Sequence, residues 1–256
     1  MYDQPAIDVR HDGSVRVVTL NQPDTLNAFS EDLHEQFVDV WTDIERDDEC
    51  RAVVLTGAGR AFSAGGSYED FEHRRVDLAV RRRSLRLARR LADEMLNIAV
   101  PVVAAVNGPA VGLGCTVTTL CDIVFIADDT FLADTHVSVA LVAGDGGAVT
   151  WPALTSLLRA KQYLLTGDRL SAVEAVEIGL ANFAVPAERL LDDAVAFAHR
   201  LAAQPPQAVQ ETKALLNQHL RANAVRALGY GLAAESQSHD LPEYRAIGET
   251  LKPKAR

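Results

Sequence analysis

Apolar positions fall first into short runs and then into helical spacing. Val15-Arg16-Val17-Val18-Thr19-Leu20, closed by Asn21-Gln22-Pro23-Asp24, predicts a strand ended by a turn. Leu33, Phe37, Val40, Trp41 and Ile44 then recur at helical spacing, with Ser30 placed as the N-cap. Ala52 to Thr56 reads as a second buried strand, turned by Gly57-Ala58-Gly59. Ala61 to Phe71 has no clear period and holds four small residues in a row, Ser63-Ala64-Gly65-Gly66. A long helix is predicted over Leu78 to Asn97, with Leu87, Leu91 and Met95 on one face. An apolar strand follows over Val100 to Val106, then a glycine-spaced loop, Asn107 to Gly114. A short buried helix (Cys115 to Leu120) and a strand (Ile123 to Ala127) come next. Strands alternating with helices predict an α/β core. From Thr150 onward the pattern is almost entirely helical: Val173 to Ile178, Leu190 to Ala203, Val209 to Leu220 and Val225 to Glu235. Pro186 and Pro205-Pro206 punctuate these helices. The composition changes between Gly167 and Pro186. The expected division is a core over 1–186 and a helical region over 187–256, with no internal repeat.

Composition narrows the class. The chain has 256 residues and a formal charge of −10, with 48% hydrophobic and 23% charged residues. This is globular composition, which excludes disordered, collagen-like and coiled-coil readings. The acidic balance argues against nonspecific nucleic-acid or membrane-surface binding. No apolar stretch reaches the roughly 18–20 residues of a membrane span, and Met1-Tyr2-Asp3-Gln4-Pro5 lacks the features of a signal peptide. Cys50, Cys115 and Cys121 have no metal-ligand spacing and read as reduced thiols, so a cytoplasmic location is expected.

Two motifs fail on inspection. Gly57-Ala58-Gly59 after a strand would need a third glycine to form a dinucleotide fingerprint, and Phe62 stands there. Ala61-Phe62-Ser63-Ala64-Gly65 resembles a nucleophile elbow, but His136 precedes Asp145, the reverse of the order that elbow requires. The two small-residue loops make more sense as a pair. Each follows a buried strand, and each lets backbone N–H groups approach a ligand. Two such donors converging on one carbonyl form an oxyanion hole.

At this point a family resemblance emerges. Leu20-Asn21-Gln22-Pro23-Asp24-Thr25-Leu26-Asn27-Ala28-Phe29-Ser30, Gly59 to Gly66 and Pro101 to Cys115 resemble the enoyl-CoA hydratase/isomerase (crotonase) superfamily. So do Cys121-Asp122-Ile123-Val124, Leu165-Thr166-Gly167 and the tail Leu251-Lys252-Pro253. The resemblance implies an α/β spiral of ββα units and a helical C-terminal trimerisation region, in a homotrimer or dimer of trimers. It also implies an acyl-CoA thioester substrate, with no metal and no cofactor other than the coenzyme A of the substrate. By position, the oxyanion hole would be the N–H groups of Ala64 and Leu113. Substrate-binding positions would be Gly65, Gly66, Tyr68, Gly112, Gly114 and Thr116.

The chain departs from the family's two water-holding glutamates. Thr116 stands at the first position, and Thr135 or His136 at the second. His136 and Asp145 remain as a proton-transfer pair, because a carboxylate beside an imidazole fixes its tautomer and raises its pKa. The alternative is that His136 bonds the backbone while Asp145 caps a helix starting near Ala148. Asp134 to Pro152 is similar to 6-oxocamphor hydrolase, a relative that cleaves a β-diketone carbon–carbon bond without CoA. Its functional histidine, aspartate and glutamate match His136, Asp145 and Glu235. That relative lacks the Gly-x-Gly loop kept here at Gly112-Leu113-Gly114. The arginines of 74–90 read mostly as a solvated helix face, with one or two expected on CoA phosphates. Without aromatic residues among them, RNA binding is not favoured. The other histidines, His34 included, read as surface or structural. Three functions are therefore carried forward: hydration or isomerisation of an enoyl-CoA, β-diketone hydrolysis, and ligand binding without catalysis.

Overall fold

A computed structural model describes residues 2–251; Lys252 and Pro253 of the tail motif lie outside the described residues. The strands are β1 (Ile7–Asp12), β2 (Val15–Leu20), β3 (Ala52–Gly57), β4 (Val102–Val106), β5 (Ala110–Val111), β6 (Ile123–Ala127), β7 (Phe131–Ala133), β8 (Leu170–Ser171) and β9 (Phe183–Val185). The α-helices are α1 (Glu31–Glu45), α2 (Tyr68–Val76), α3 (Leu78–Asn97), α4 (Leu113–Leu120), α5 (Gly147–Leu154), α6 (Leu157–Thr166), α7 (Ala172–Ile178), α8 (Leu190–Ala202), α9 (Pro206–Ser238) and α10 (Pro242–Leu251).

Six strands form one sheet in the order β1-β2-β3-β4-β6-β9, parallel apart from the β1–β2 hairpin, and β5-β7-β8 form a second, small sheet. The central strands are continuous apolar runs because both faces of the large sheet are covered. Their residues alternate: Val53 and Leu55 enter the core shared with α1, α3 and α4, while Ala52 and Val54 face Leu190, Ala194 and Ala198 of α8. The first α-helix beyond residue 186 thus forms a layer of the sheet's own core.

Local chemistry sets the element ends. Ser30 caps α1 by accepting the Leu33 N–H at 3.2 Å. The interval between the two helices predicted over 209–235 is helical too, because Arg221-Ala222-Asn223-Ala224 contains no residue that breaks a helix. The result is one 33-residue helix, α9. No helix among the described residues is long and apolar enough to cross a membrane. The segments after β3 and β4 leave the same edge of the parallel sheet, where α/β folds place their sites. They are stitched together by Val111 N–H to the Ser63 carbonyl, 2.9 Å, and Ser63 N–H to the Pro109 carbonyl, 3.2 Å.

Candidate active site

The meeting of these two loops requires small residues. A Cβ on Gly65, where φ is +89°, would lie 2.7 Å from the Val111 carbonyl oxygen, and one on Gly114 would lie 2.7 Å from Ser63 Cβ. Ser63 Oγ donates to the Asn27 carbonyl at 2.8 Å and accepts the Gly65 N–H at 3.1 Å, which fixes the first loop. Of the N–H groups that have no acceptor among the described residues, two matter here, one from each loop. One is on Gly66; the other is on Leu113, the first residue of α4, where no intrahelical acceptor exists. Both residues line a cavity of about 380 Å³. Ala64 lines it too, but its N–H donates to the Leu26 carbonyl at 2.9 Å. The donor expected from Ala64 is therefore occupied, and the free one in that loop lies two residues later.

Across the cavity stands a buried acid–imidazole cluster. His136 Nδ1 is 2.6 Å from Asp134 Oδ1, and Nε2 is 3.2 Å from Asp145 Oδ2. Thr116 Oγ1 donates to Asp145 Oδ1 at 2.9 Å. Burial alone would strip the proton from His136. The charges and hydrogen bonds of Asp145 and Asp134 outweigh it and hold the imidazolium well above its usual range. Burial likewise opposes ionisation of Asp145, yet His136 and Thr116 keep its carboxyl below the ordinary value.

Glu235 reaches the cluster from α9. Gly144 and Gly231 let the helix backbone press on the loop before α5: a Cβ on Gly144 would lie 2.3 Å from the Gly231 carbonyl oxygen and 2.9 Å from Glu235 Oε2. Glu235 Oε2 is buried with no hydrogen-bond partner among the described residues. Burial, and then the charge of Asp145, pushes its carboxyl up to about 7. A group that titrates there can both take and return a proton at neutral pH. His136, with each ring nitrogen committed to a carboxylate, supplies fixed positive charge instead.

The structure brings Gly65, Gly66, Tyr68, Gly112, Leu113, His136, Asp145 and Glu235 onto one cavity. Two expected substrate contacts stand elsewhere. Gly114 packs on Ser63, and Thr116 is fully buried with its hydroxyl given to Asp145. The capping alternative for Asp145 is excluded, since α5 has Gly146 at its N-cap and no side-chain cap. The backbone alternative for His136 gives way to Asp134. Sequence reasoning missed two groups on the cavity, His34 and Arg74, and one behind it, Asp134, which holds His136. Asp134 was signalled by its Asp-x-His spacing at the end of an apolar strand. His34 is buried in the cavity wall rather than merely structural, and Arg74 alone of the basic run lines the cavity. The other arginines of the run with carboxylate partners are spent on them: Arg81 on Asp240, Arg83 on Glu31, Arg75 on Glu72, Arg89 on Asp93 and Arg90 on Asp39.

The family model for enoyl-CoA hydratase/isomerase matches residues 10–242. A short-chain-enoyl-CoA hydratase of Clostridium acetobutylicum is 32% identical over 86% of this chain and 84% of its own length. The crystal structure of an enoyl-CoA hydratase/isomerase from Mycobacterium paratuberculosis is 48% identical. It superposes with a TM-score of 0.94 over 98% of this chain and all of the other. A β-diketone hydrolase from the cyanobacterium Anabaena, bound to (S)-3-oxocyclohexyl acetic acid, is 28% identical. Its TM-score is 0.85, over 92% of this chain and 94% of that one.

Proposed function

The chain belongs to the enoyl-CoA hydratase/isomerase family, and from that premise we propose that it hydrates or isomerises an enoyl-CoA through a thioester enolate. The thioester oxygen sits between the N–H groups of Gly66 and Leu113, and the positive end of α4 adds to the stabilisation. In hydration, Glu235 as carboxylate takes a proton from water as the oxygen bonds to Cβ. The electron pair moves onto the thioester oxygen, and the Glu235 acid returns its proton to Cα. In isomerisation the same carboxyl carries a proton between Cα and Cγ. Asp145, held by Thr116 and His136, orients the water. CoA enters as part of the substrate. The observation that carries this reading is the unpartnered Glu235 oxygen, titrating near neutrality on the same cavity as the two free N–H groups.

The exposed apolar residues Leu158 and Leu165 of α6, and Leu215, Leu216 and Val225 of α9, support self-association as a homotrimer or dimer of trimers. The likeness to the Anabaena β-diketone hydrolase favours a second reading, in which water attacks a β-diketone and the released enolate occupies the same hole. Loss of the conjugated-thioester absorbance of crotonyl-CoA tests the first reading. Turnover that falls by about 10²-fold or more in Glu235→Gln supports it. No change of crotonyl-CoA, with cleavage of a cyclic β-diketone, replaces it with the second.

A further inference from the structure

Arg74 is the one arginine among the described residues that lines the cavity, and among them it is poorly matched. Its side chain is only 17% exposed. Among the described residues its guanidinium makes no hydrogen bond, and the one carboxylate within ion-pair distance is Asp70, at 3.9 Å. That carboxylate oxygen is already engaged, accepting the Glu31 N–H at 3.0 Å at the start of α1. A largely buried guanidinium with its donors unmet is costly, and an anionic ligand that supplies acceptors removes the cost.

Its position limits what that ligand can be. Arg74 Nη1 lies 3.6 Å from where a Cβ on Gly66 would stand, beside the loop that offers the free N–H. His34 lies on the same wall; its ring bonds the backbone of Leu87, and its Nε2 has no partner among the described residues. Ser84 of α3 completes a polar rim where α1, α2 and α3 meet. Tyr68, Phe71, Ala88 and Leu141 make the rest of this wall mainly apolar. A purely hydrocarbon acyl chain would leave the guanidinium and the imidazole unanswered in the pocket.

We infer that the cavity takes acyl thioesters whose short acyl chain ends in a carboxylate, and that Arg74, flanked by His34, binds that carboxylate. The inference rests on the thioester reading above and adds the substrate class. A short chain is required because the guanidinium stands next to the oxyanion loop and not at a remote end of the cavity.

The test needs no turnover. Glutaryl-CoA and 5-methylhexanoyl-CoA have the same shape, and only the first carries a distal carboxylate. Titration calorimetry of both against the wild-type protein, Arg74→Met and Arg74→Lys reads the preference directly, with matching thermal midpoints as the control for folding. Glutaryl-CoA is expected to bind the wild type about tenfold tighter or more. The ratio should fall to about one in Arg74→Met and survive in part in Arg74→Lys. Equal affinities in the wild type, or a preference that persists in Arg74→Met, overturns the inference and leaves the thioester reading intact. Failure of both esters to bind overturns the thioester reading, and this inference with it.

Discussion

Glu235→Gln should stabilise the protein at the same time as it stops the chemistry. In the folded chain the Glu235 carboxyl is pushed from its ordinary 4.5 to about 7, by burial first and then by Asp145. That displacement corresponds to about 3 kcal/mol between the two protonation states. The sign follows from linkage. Below about pH 4.5 the carboxyl is protonated in both folded and unfolded chains and costs nothing. Between about pH 4.5 and 7 the unfolded chain ionises while the folded state keeps its proton, so the cost grows with pH; above about 7 the folded state holds a partly desolvated carboxylate and the cost is complete. Gln cannot ionise, so the variant avoids this cost. Its amide places N–H donors where Oε2 finds no partner, which gives back about 1 kcal/mol. The net expectation is a gain of about 2 kcal/mol at pH 8. For a chain of this size that raises the thermal midpoint by roughly 4–8 °C, with little or no gain at pH 4. Thermal unfolding followed by circular dichroism at the two pH values measures it. A variant no more stable than wild type at pH 8 would refute the claim that Glu235 is held against its own ionisation.

Further outcomes follow from the same geometry. Rate constants for thioester turnover should rise with pH through about 7 as Glu235 ionises. Asp145→Asn, which removes the neighbouring negative charge, should move that limb to lower pH; a limb that stays put would assign it to another group. Gly66→Ala keeps the N–H and meets only Arg74 at 3.6 Å, so it should retain most activity. Gly66→Pro deletes the donor and should cost about 10²–10³ in kcat. Equal losses in the two variants would point away from that N–H. Gly144→Ala forces a Cβ to 2.3 Å from the Gly231 carbonyl. It should destabilise the fold by about 1–3 kcal/mol and lower activity, because α9 must lift and carry Glu235 with it; chemical denaturation and initial rates check both.

Much of this arrangement was legible in the sequence because it depends on local chemistry. The two oxyanion-type loops announce themselves as runs of small residues after apolar strands, and Ser30 marks the start of α1. His136 and Asp145 stand out as a pair by their chemistry and Glu235 by resemblance; the structure adds Asp134 and Thr116 as partners of the pair. What the sequence hides is which groups are already spent. Ala64 and Gly66 look interchangeable in a run of small residues, and only the carbonyl of Leu26, far upstream, decides that Ala64 has no donor to offer. Thr116 sits where a substrate contact was expected, yet the fold turns its hydroxyl to Asp145, 29 residues away. His136 looks like a base until Asp134 and Asp145 are seen at both ring nitrogens. The same holds for the basic run, where neighbouring side chains neutralise several arginines and leave Arg74 facing the cavity.

The most direct test of an enolate held by Gly66 and Leu113 and formed through Glu235 is exchange of the Cα protons of a saturated ester. Butyryl-CoA would be incubated with the protein in deuterium oxide and followed by proton nuclear magnetic resonance. The account predicts enzyme-dependent loss of the Cα–H signal, at least 10²-fold slower in both Glu235→Gln and Gly66→Pro. Tight binding of butyryl-CoA without exchange, or exchange that is unchanged in both variants, would contradict it.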